Sequence, residues 1–364
     1  MELIDPINEP GLWDQTLSTH PQATAFHTSA WARVLNRTYQ HRPFYLKFQD
    51  GATNALVPIM EVKSPICGRR GVSLPFSDCC PPLFNQACNL NRIREHIVSL
   101  AHQRRWKYVE LRGDQLAASP SPAHCPPRTV CPPSTASRLP TFCAHHLDLT
   151  IGSERLLAAC SSSARRALRK AQQSPLKVRV EGTRQAMFNF FRLHVFTRRR
   201  HGLPTQPYRF FQNIYEELIS KGFGTIVSAY HTKNNRPIAA AVFLNYNNTA
   251  IYKFGASDSY DWHLRPNNLL IWEAIQHLAK SGVKHLHFGR TAPVHNGLRQ
   301  FKLSWGTQEQ PLDYIRFNCR NRCWNSVKST FSLSLMSTIT RQVLAYTPLF
   351  LNRAAGTLLY PHLD

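Results

Sequence analysis

Residues 250–306 restrict the fold of this chain more than any other stretch. Residues 250–254 form a strand-like apolar run, and a polar loop follows it. A set of apolar residues then recurs at the spacing of one helix face: Ile271, Ile275, Leu278 and Ala279. This helix is predicted to start with Asn267 as its N-cap and to end at Gly282. Because residues 285–289 resume a short strand ahead of a basic turn, the order predicts an α/β unit.

Short motifs follow the second strand of this unit. Phe288-Gly289-Arg290 ends the strand, Gly297 lies in the next loop, and Phe301-Lys302 precedes Trp305-Gly306. In this order the motifs resemble the acyltransferase domain of the FemAB-like branch of the GNAT superfamily. Members of that branch usually carry an acidic residue before the Phe-Gly pair. This chain has His287 there, so the resemblance supplies no acid or base at that position.

The chain length and the order of elements predict two lobes. A chain of 364 residues exceeds what one hydrophobic core normally supports. Helices, an antiparallel meander and a helix–strand pair follow residue 150, and the first half repeats this order loosely. Together with the resemblance, this order implies an α/β fold of tandem GNAT-like lobes, with mixed, largely antiparallel sheets flanked by helices.

Three segments are expected on this basis. An N-terminal GNAT-like lobe spans residues 1–150 and contains a Pro-rich insertion near 113–140, a composition typical of a loop. A C-terminal GNAT-like acyltransferase lobe spans residues 151–320. Residues 321–364 form a helical C-terminal appendage. The apolar tail of this appendage packs on the body in one interpretation and anchors the chain to a membrane in the other.

The charge of the chain favours anionic partners. It has 44 Lys and Arg against 21 Asp and Glu, a net charge of +23, which suits phosphorylated substrates, nucleic acid or an anionic membrane surface. A long helix predicted from Ser153 carries a basic cluster of Arg165, Arg166, Arg169 and Lys170. Arginine can bind phosphate through two parallel hydrogen bonds. Phosphate or nucleic-acid contact is one interpretation of this cluster, and a solvated charged face is the other.

Composition also bears on metal binding and on location. The chain has ten cysteines but no Cys-x-x-Cys pair and no zinc-ligand spacing, so no metal is expected. Residues 1–6 are acidic and lack the apolar core of a secretory signal. No apolar run approaches the ~18 residues of a membrane span. These features predict a cytoplasmic protein with free thiols, and they leave open a peripheral association with the inner face of the membrane.

Three residues are predicted to act in catalysis: Lys302, Phe301 and Asp258. In the peptidoglycan-modifying relatives the equivalent Phe-Lys pair lies at the reaction centre, so the resemblance implies that the Lys302 ammonium stabilises the oxyanion of acyl transfer. A surface lysine beside a core phenylalanine is the alternative. Asp258 is the best available carboxylate to orient or deprotonate an amine nucleophile. Because the chain has no Ser-His-Asp order and no nucleophile elbow, direct attack by an amine on a bound acyl donor is the expected mechanism.

Tyr252, Asn267 and Arg290 are predicted to contact substrate, because they lie at strand ends and loops around the same cleft of the expected fold. The basic cluster is predicted to bind substrate as well. GNAT enzymes usually hold the coenzyme A pyrophosphate with a Gly-rich loop at a helix start, and this chain has no such loop after the relevant strand. The acyl donor is therefore left open between acyl-CoA and aminoacyl-tRNA, and the basic surface suits the latter.

The resulting interpretation is an N-acyltransferase that moves an acetyl or aminoacyl group to an amine of a cell-envelope, peptidoglycan or polysaccharide precursor. Its expected partners are a phosphorylated small molecule or glycan precursor and, with an aminoacyl donor, tRNA. A non-catalytic basic protein that binds nucleic acid or an anionic membrane surface is the alternative. The Phe-Lys and Trp-Gly motifs favour the enzyme, whereas His287 and the missing coenzyme loop favour the alternative.

Overall fold

The computed structural model of the chain divides into two units. It describes residues 1–50, 53–84, 89–113, 141–327 and 338–363. The first unit consists of Met1–Cys143, Pro311–Ser332 and Pro361–Asp364, and the second of Ala144–Gln310 and Leu333–Tyr360. Nearly all of the Pro-rich insertion, residues 114–140, lies outside the described residues.

Both units contain helices and strands. The helices are α1 (Pro10–Ser18), α2 (Ser29–Tyr39), α3 (Leu90–Gln103), α4 (Ser153–Ala159), α5 (Ser162–Gln172), α6 (Arg184–Arg200), α7 (Tyr208–Glu217), α8 (Pro266–Lys280), α9 (Asn296–Leu303), α10 (Thr338–Tyr346) and α11 (Leu349–Leu359). The strands are β1 (Glu2–Ile4), β2 (Arg42–Asp50), β3 (Thr53–Ser64), β4 (Gly68–Val72), β5 (Leu83–Phe84), β6 (Tyr108–Arg112), β7 (Phe142–Asp148), β8 (Leu176–Glu181), β9 (Gly224–His231), β10 (Arg236–Tyr246), β11 (Thr249–Ser257), β12 (His285–Thr291), β13 (Gln308–Leu312), β14 (Tyr314–Asn318) and β15 (Cys323–Ser326).

The first sheet runs in the order β1-β2-β3-β4-β6-β14-β15, with β5 paired to β3 at the side. Its neighbouring strands are antiparallel except β4 and β6, which are parallel. Helix α3 contributes Ile93 and Ile97 to a buried cluster with Phe44, Ile59 and Leu111. This apolar cluster covers one face of the sheet with a helix, as an amphipathic helix requires.

The second sheet runs in the order β13-β7-β12-β11-β10-β9-β8. Strands β8, β9, β10 and β11 pair antiparallel with one another in turn, and β11 pairs in parallel with β12. Helices α5 and α8 contribute Leu168 and Ile275 to a buried cluster that includes Phe243 of β10. Phe190 of α6 packs against Phe254 of β11, which pairs with the residue next to Phe243 and so faces the opposite side. The expected α/β class, with mixed and largely antiparallel sheets flanked by helices, is confirmed.

Two helix boundaries in the second unit differ from the sequence prediction. The single helix expected from Ser153 is two helices, α4 and α5, because Ser161 interrupts it. The Ser161 Oγ accepts a hydrogen bond from the Ala164 N–H at 3.2 Å and caps α5. Helix α8 begins at Pro266, and Arg265, with φ of 61°, occupies the N-cap position predicted for Asn267. Proline suits the first helical turn, where its missing N–H costs no hydrogen bond.

The divisions predicted at residues 150 and 320 also differ from the two units. Residues 311–320 belong to the first unit because β14 pairs with β6. The tail is split: β15 joins the first sheet, whereas α10 and α11 belong to the second unit, where Arg199 donates to the Ala345 carbonyl at 3.2 Å. The relation of the first unit to the second as a repeated lobe stays a prediction.

Two properties of the described residues concern membranes and metals. In the parts of the chain that the structure describes, no helix combines the length and the apolar content needed to cross a bilayer. Within the same residues, no group of three or more His, Cys, Asp or Glu side chains is arranged to hold a metal ion.

Candidate active site

Strands β11 and β12, neighbours in the second sheet, separate part-way along their length. They pair in parallel over three residue pairs, 249–251 with 285–287. Both strands continue beyond these pairs. We call the opening between residues 252–257 and 288–291 the fork. Backbone groups that line the fork have left the parallel ladder, so the buried ones need other hydrogen-bond partners.

A β-bulge marks the start of the fork on β11. Phe243 of β10 pairs with Tyr252, whereas Val242 pairs with Phe254, so Lys253 is the extra residue of the bulge. A bulge bends its strand and increases the local twist. Because the bulge coincides with the last β11–β12 pairs, it explains why β11 leaves β12 at this point.

Tyr252 and Gly255 share a face of β11 as a consequence of the bulge. Their partners on β10, Phe243 and Ala241, lie two residues apart. A Cβ atom at position 255 would overlap the Tyr252 hydroxyl, so glycine lets the ring lie along the strand. The ring also packs edge-on against Phe288 of β12, with centroids 5.9 Å apart. Burial raises the pKa of Tyr252 to about 12, so the phenol is protonated at neutral pH and can donate a hydrogen bond.

Lys302 brings a positive charge to the β12 side of the fork. It extends from α9, it is 3% exposed, and its Nζ donates to the carbonyl oxygens of Gly289 and Arg290 at 3.0 and 3.1 Å. Consecutive carbonyls of a regular strand point in opposite directions. Gly289 has φ of 71°, a conformation that favours glycine, and this turn lets both carbonyls face one ammonium. The His287 ring holds the same turn, because its Nδ1 accepts from the Gly289 N–H at 2.8 Å.

Phe301 and Arg290 flank Lys302 in different ways. Phe301 packs against the buried cluster of the second sheet, and its ring centroid lies 6.4 Å from that of the buried Trp305. The two aromatic residues therefore fix α9 to the core. Arg290 contributes its carbonyl, and its side chain is half-buried. The structure thus brings four predicted residues to the fork and its adjoining helix: Tyr252, Arg290, Phe301 and Lys302.

Asp258 and Asn267 lie in and beside the loop between β11 and α8. The Asp258 Oδ2 pairs with Arg236 Nη1 at 2.6 Å, and its Oδ1 accepts from the Tyr260 N–H at 3.0 Å. The hydrogen bond with Asp258 is the main cause of a raised pKa for Arg236. The Asn267 Nδ2 donates to Ser257 Oγ at 3.2 Å. Both side chains hold the loop, and the role predicted for each toward substrate stays a prediction.

The basic cluster divides into two parts in the structure. Arg165 is half-buried, and its Nη1 donates to the Ala158 carbonyl near the end of α4 at 2.8 Å. Carbonyls in a last helical turn lack intrahelical partners, so Arg165 caps α4. The other three residues of the cluster are exposed: Arg166, Arg169 and Lys170. Contact of these three residues with an anionic substrate stays a prediction.

A pair formed by a buried histidine and a half-buried carboxylate beside α9 is absent from the sequence predictions. His145 on β7 is fully buried, and its Nε2 lies 3.0 Å from Glu309 Oε2 on the neighbouring strand β13. Arg299 of α9 holds the same carboxylate with two hydrogen bonds of 2.6 and 2.7 Å. Burial lowers the pKa of His145, and the charge of Lys302 lowers it further. No spacing signals this pair, because only the order of strands in the sheet brings the two residues together.

Comparisons with known proteins found one family model and several similar folds. Residues 158–303 match the family model described as an acetyltransferase (GNAT) domain. FemX has a similar structure, with a TM-score of 0.62 at 14% identity over 85% of this chain and 95% of FemX. A conserved protein of unknown function from Bacteroides thetaiotaomicron VPI-5482 gives a TM-score of 0.58 at 11% identity, over 87% of this chain and 98% of that one.

A third similar structure is that of L-PGS from Bacillus licheniformis. Its TM-score is 0.52 at 14% identity, over 94% of this chain and 98% of L-PGS. No curated protein matches the chain in sequence. At these low identities the structural likeness concerns the fold, so the match over residues 158–303 is the finding that bears on activity.

Replacing Gly255 with alanine tests the packing of Tyr252 in the fork. The new Cβ overlaps the Tyr252 hydroxyl, so we expect Gly255→Ala to lower the free energy of unfolding by about 1–3 kcal/mol. Gly297→Ala is the matched control. No atom lies within 4 Å of its added Cβ, and in α9 we expect it to be neutral or to stabilise by up to about 1 kcal/mol. Urea unfolding measures both.

Adding Tyr252→Phe to Gly255→Ala removes the overlapping oxygen, and we expect part of the lost stability to return. If Gly255→Ala and Gly297→Ala prove equally stable, Tyr252 does not occupy the space above Gly255.

Replacing Glu309 with glutamine tests this half-buried carboxylate. The hydrogen bond with Arg299 is the main cause of a lowered pKa for Glu309, whose ordinary value is 4.5. A carboxylate with a lowered pKa in the folded state stabilises the fold above its ordinary pKa, and this contribution is lost as the pH falls through the folded-state value. Charge-assisted hydrogen bonds contribute about 1.5–3 kcal/mol. We therefore expect Glu309→Gln to be less stable than the wild type at pH 7.

The stability gap between the wild type and Glu309→Gln should narrow as the pH falls below 4.5. Glu154→Gln, at an exposed position in α4, controls for general acid effects and should show no such gap. Urea midpoints at a series of pH values measure the difference. A gap of constant size down to the acid limit would contradict the ionised pairing of Glu309.

Proposed function

We propose that this chain, an acyltransferase in which residues 158–303 are a GNAT acetyltransferase domain, transfers an acetyl or aminoacyl group to an amine of a cell-envelope, peptidoglycan or polysaccharide precursor. In this proposal the amine attacks the carbonyl carbon of the bound acyl donor directly. The C–N bond forms, the bond to the donor's sulfur or oxygen breaks, and the proton that the amine gives up passes to the leaving thiolate or alkoxide. No covalent acyl-enzyme takes part.

The fork is the observation that carries the proposal. Two parallel strands that separate leave backbone donors and acceptors along both edges of the gap. An extended acyl-bearing chain can hydrogen-bond to such edges as an added strand does. Tyr252 stands at the start of the gap with a protonated phenol, which suits it to donate a hydrogen bond to the donor or to the leaving group. Substrate contact by Arg290 is part of the same proposal.

Lys302 acts in this proposal as a fixed positive charge. Attack on the acyl carbon turns its carbonyl oxygen into an oxyanion, and a buried cation nearby stabilises that charge more strongly than one in water. The two carbonyls of Gly289 and Arg290 hold the ammonium in place, so little reorganisation is needed when the charge develops. Phe301 acts through packing, because it fixes α9 and so the position of Lys302.

Asp258 enters the proposal as the residue that sets the position of the β11–α8 loop. Both of its oxygens accept hydrogen bonds within that loop and from Arg236. To accept a proton from the amine, it would have to give up one of these partners. Asn267 has the same role through Ser257, and it lies in the first turn of α8, which suits a contact with the substrate.

Aminoacyl-tRNA is the donor that the charges favour. The loop that precedes α8 carries Asp258 and Asp261, and α8 begins with Pro266, which has no N–H to give. Both features oppose the binding of a coenzyme A pyrophosphate at this helix start. Residues 155–209 hold thirteen Lys and Arg against one acid, which suits an RNA backbone. Acyl-CoA is the second donor to be tested.

The same proposal places the enzyme in the cytoplasm, with a phosphorylated small molecule or glycan precursor as the acceptor and with peripheral association at the inner face of the membrane. The GNAT match supports an enzyme over the non-catalytic basic protein considered from the sequence. A thermal-shift panel of acetyl-CoA, longer acyl-CoAs, aminoacyl-tRNA and sugar nucleotides would identify the donor and acceptor classes.

Lys302→Met tests the electrostatic role. With the donor and acceptor so identified, we expect the turnover number to fall by about 10²–10³, the usual cost of one oxyanion-stabilising group, with a smaller change in KM. Because Lys302 is buried and holds two carbonyls, we also expect the variant to be less stable. Assays therefore run at a temperature where circular dichroism shows the variant to be folded.

Lys302→Arg keeps the charge but spreads it over a planar group, so we expect it to restore turnover only in part. A folded Lys302→Met variant with the turnover number of the wild type would contradict the role of Lys302. Loss of stability without loss of turnover would show that Lys302 serves only to hydrogen-bond the two carbonyls of β12.

Replacing Arg166, Arg169 and Lys170 together with glutamine tests the exposed part of the basic cluster. Each phosphate contact contributes about 0.7–0.9 to the slope of log affinity against log salt, so we expect the slope for aminoacyl-tRNA to fall by about 2. The matched control replaces three exposed lysines elsewhere in the second unit, Lys233, Lys280 and Lys284. Equal effects of the two triple variants would mean that the cluster contributes only general charge.

A further inference from the structure

Helix α11 turns its large apolar side chains away from the second unit. Its buried residues are Asn352 and Gly356. Phe350 and Leu358 are 68% and 71% exposed, and Leu351 is 47% exposed. At 100° per residue these three apolar side chains lie within one face of about 100°. An ordinary surface helix buries its apolar face and exposes its polar one, so α11 has the reverse orientation.

Specific polar contacts fix this orientation. The Asn352 Oδ1 accepts from Thr205 Oγ1 at 2.7 Å, and its Nδ2 donates to the Leu203 carbonyl at 3.0 Å. Gly356 lies so close to the backbone of Thr205 that a Cβ atom would overlap the Thr205 carbonyl. The side of α11 that faces the protein therefore fits residues 203–205 both in shape and in hydrogen bonding. The exposed apolar face follows from that complementarity, since rotating the helix to bury it would remove Asn352 from the Thr205 hydroxyl and the Leu203 carbonyl.

The apolar surface extends beyond α11. Val343 and Tyr346 of α10 are 57% and 85% exposed. We call Val343, Tyr346, Phe350, Leu351 and Leu358 the outer face. A cavity of about 230 Å³ lies beside it, lined in part by Phe191, Tyr208, Phe350 and Arg353. The Arg353 guanidinium stands 5.5 Å from the centre of the Phe191 ring, so a positive charge lies next to the apolar surface.

The charge around the outer face points to an anionic occupant. In residues 338–360 of the second unit, the sequence has no Asp or Glu and has two arginines, Arg341 and Arg353. An amphipathic helix with exposed aromatic and aliphatic residues and basic neighbours lies in the interface of an anionic bilayer, where apolar burial and charge attraction add. An acidic protein would complement the positive charge, but it would not bury a convex apolar helix. A second copy of this chain would bring together two surfaces of the same positive sign.

We propose that the outer face docks on an anionic phospholipid bilayer, with α10 and α11 lying in the plane of its headgroups and Arg353 against the lipid phosphates. This names the surface responsible for the peripheral membrane association within the proposed function, and it rests on that function only for its biological purpose. Binding to lipid needs neither acyl donor nor acceptor. Its failure and the failure of acyl transfer are therefore separate results.

The test is co-sedimentation of the full chain with vesicles of phosphatidylglycerol and with vesicles of phosphatidylcholine. We expect binding to the first and much weaker binding to the second. The double variant Phe350→Ser/Leu358→Ser should bind phosphatidylglycerol vesicles about tenfold more weakly or worse, a factor equal to about 1.4 kcal/mol. The control Ile66→Ser/Val294→Ser removes two side chains that are 73% and 75% exposed elsewhere, and it should bind like the wild type. Circular dichroism confirms that both variants are folded.

Arg353→Gln provides a second readout that does not depend on the apolar residues. We expect it to weaken binding to phosphatidylglycerol while leaving the weak phosphatidylcholine binding unchanged. The proposal is wrong if the wild type fails to bind phosphatidylglycerol vesicles or if the outer-face and control variants bind equally well. It is also wrong if sedimentation velocity without lipid shows a dimer that Phe350→Ser/Leu358→Ser dissociates, because a second copy then covers the outer face.

Discussion

The hydrogen bonds from Lys302 to two consecutive carbonyls of β12 are the interaction on which the candidate site depends. Where β11 leaves β12, the edge of β12 loses its ladder partner, and buried carbonyls without partners are costly. One ammonium satisfies both Gly289 and Arg290. It can do so because Gly289 takes a backbone conformation that turns two successive carbonyls toward it. The same two hydrogen bonds thus stabilise the open edge of the sheet and place a positive charge beside it.

The other side of the fork has its own supports. The bulge at Lys253 bends β11, and the β11–α8 loop is held by Arg236 through Asp258 and by Asn267 through Ser257. Beside α9, Arg299 and His145 share the Glu309 carboxylate. The neutral imidazole and the paired carboxylate place no free negative charge next to Lys302. The ammonium therefore keeps its electrostatic effect for whatever lies in the fork.

How much the sequence predicts depends on the range of the interaction. Local patterns are sufficient for the α8 face and for the motif that positions α9. The GNAT resemblance and the acyltransferase class drawn from that motif are confirmed over residues 158–303. Single side chains change local outcomes: Ser161 divides the expected long helix, and Arg265 takes the cap predicted for Asn267. The His145–Glu309 pair depends on β7 lying beside β13. The hydrophobic periodicity of the sequence does not indicate that order of strands.

The central claim is that the acyl group lies in the fork beside Lys302. A crystal structure with a stable analogue of the acyl donor tests it most directly, using a thioether analogue of acyl-CoA and an amide-linked analogue of the aminoacylated tRNA end. We predict that the acyl carbonyl lies between residues 252–257 and 288–291, with its oxygen toward the Lys302 ammonium. An analogue bound elsewhere, with the fork closed or filled by the protein's own side chains, would contradict the account.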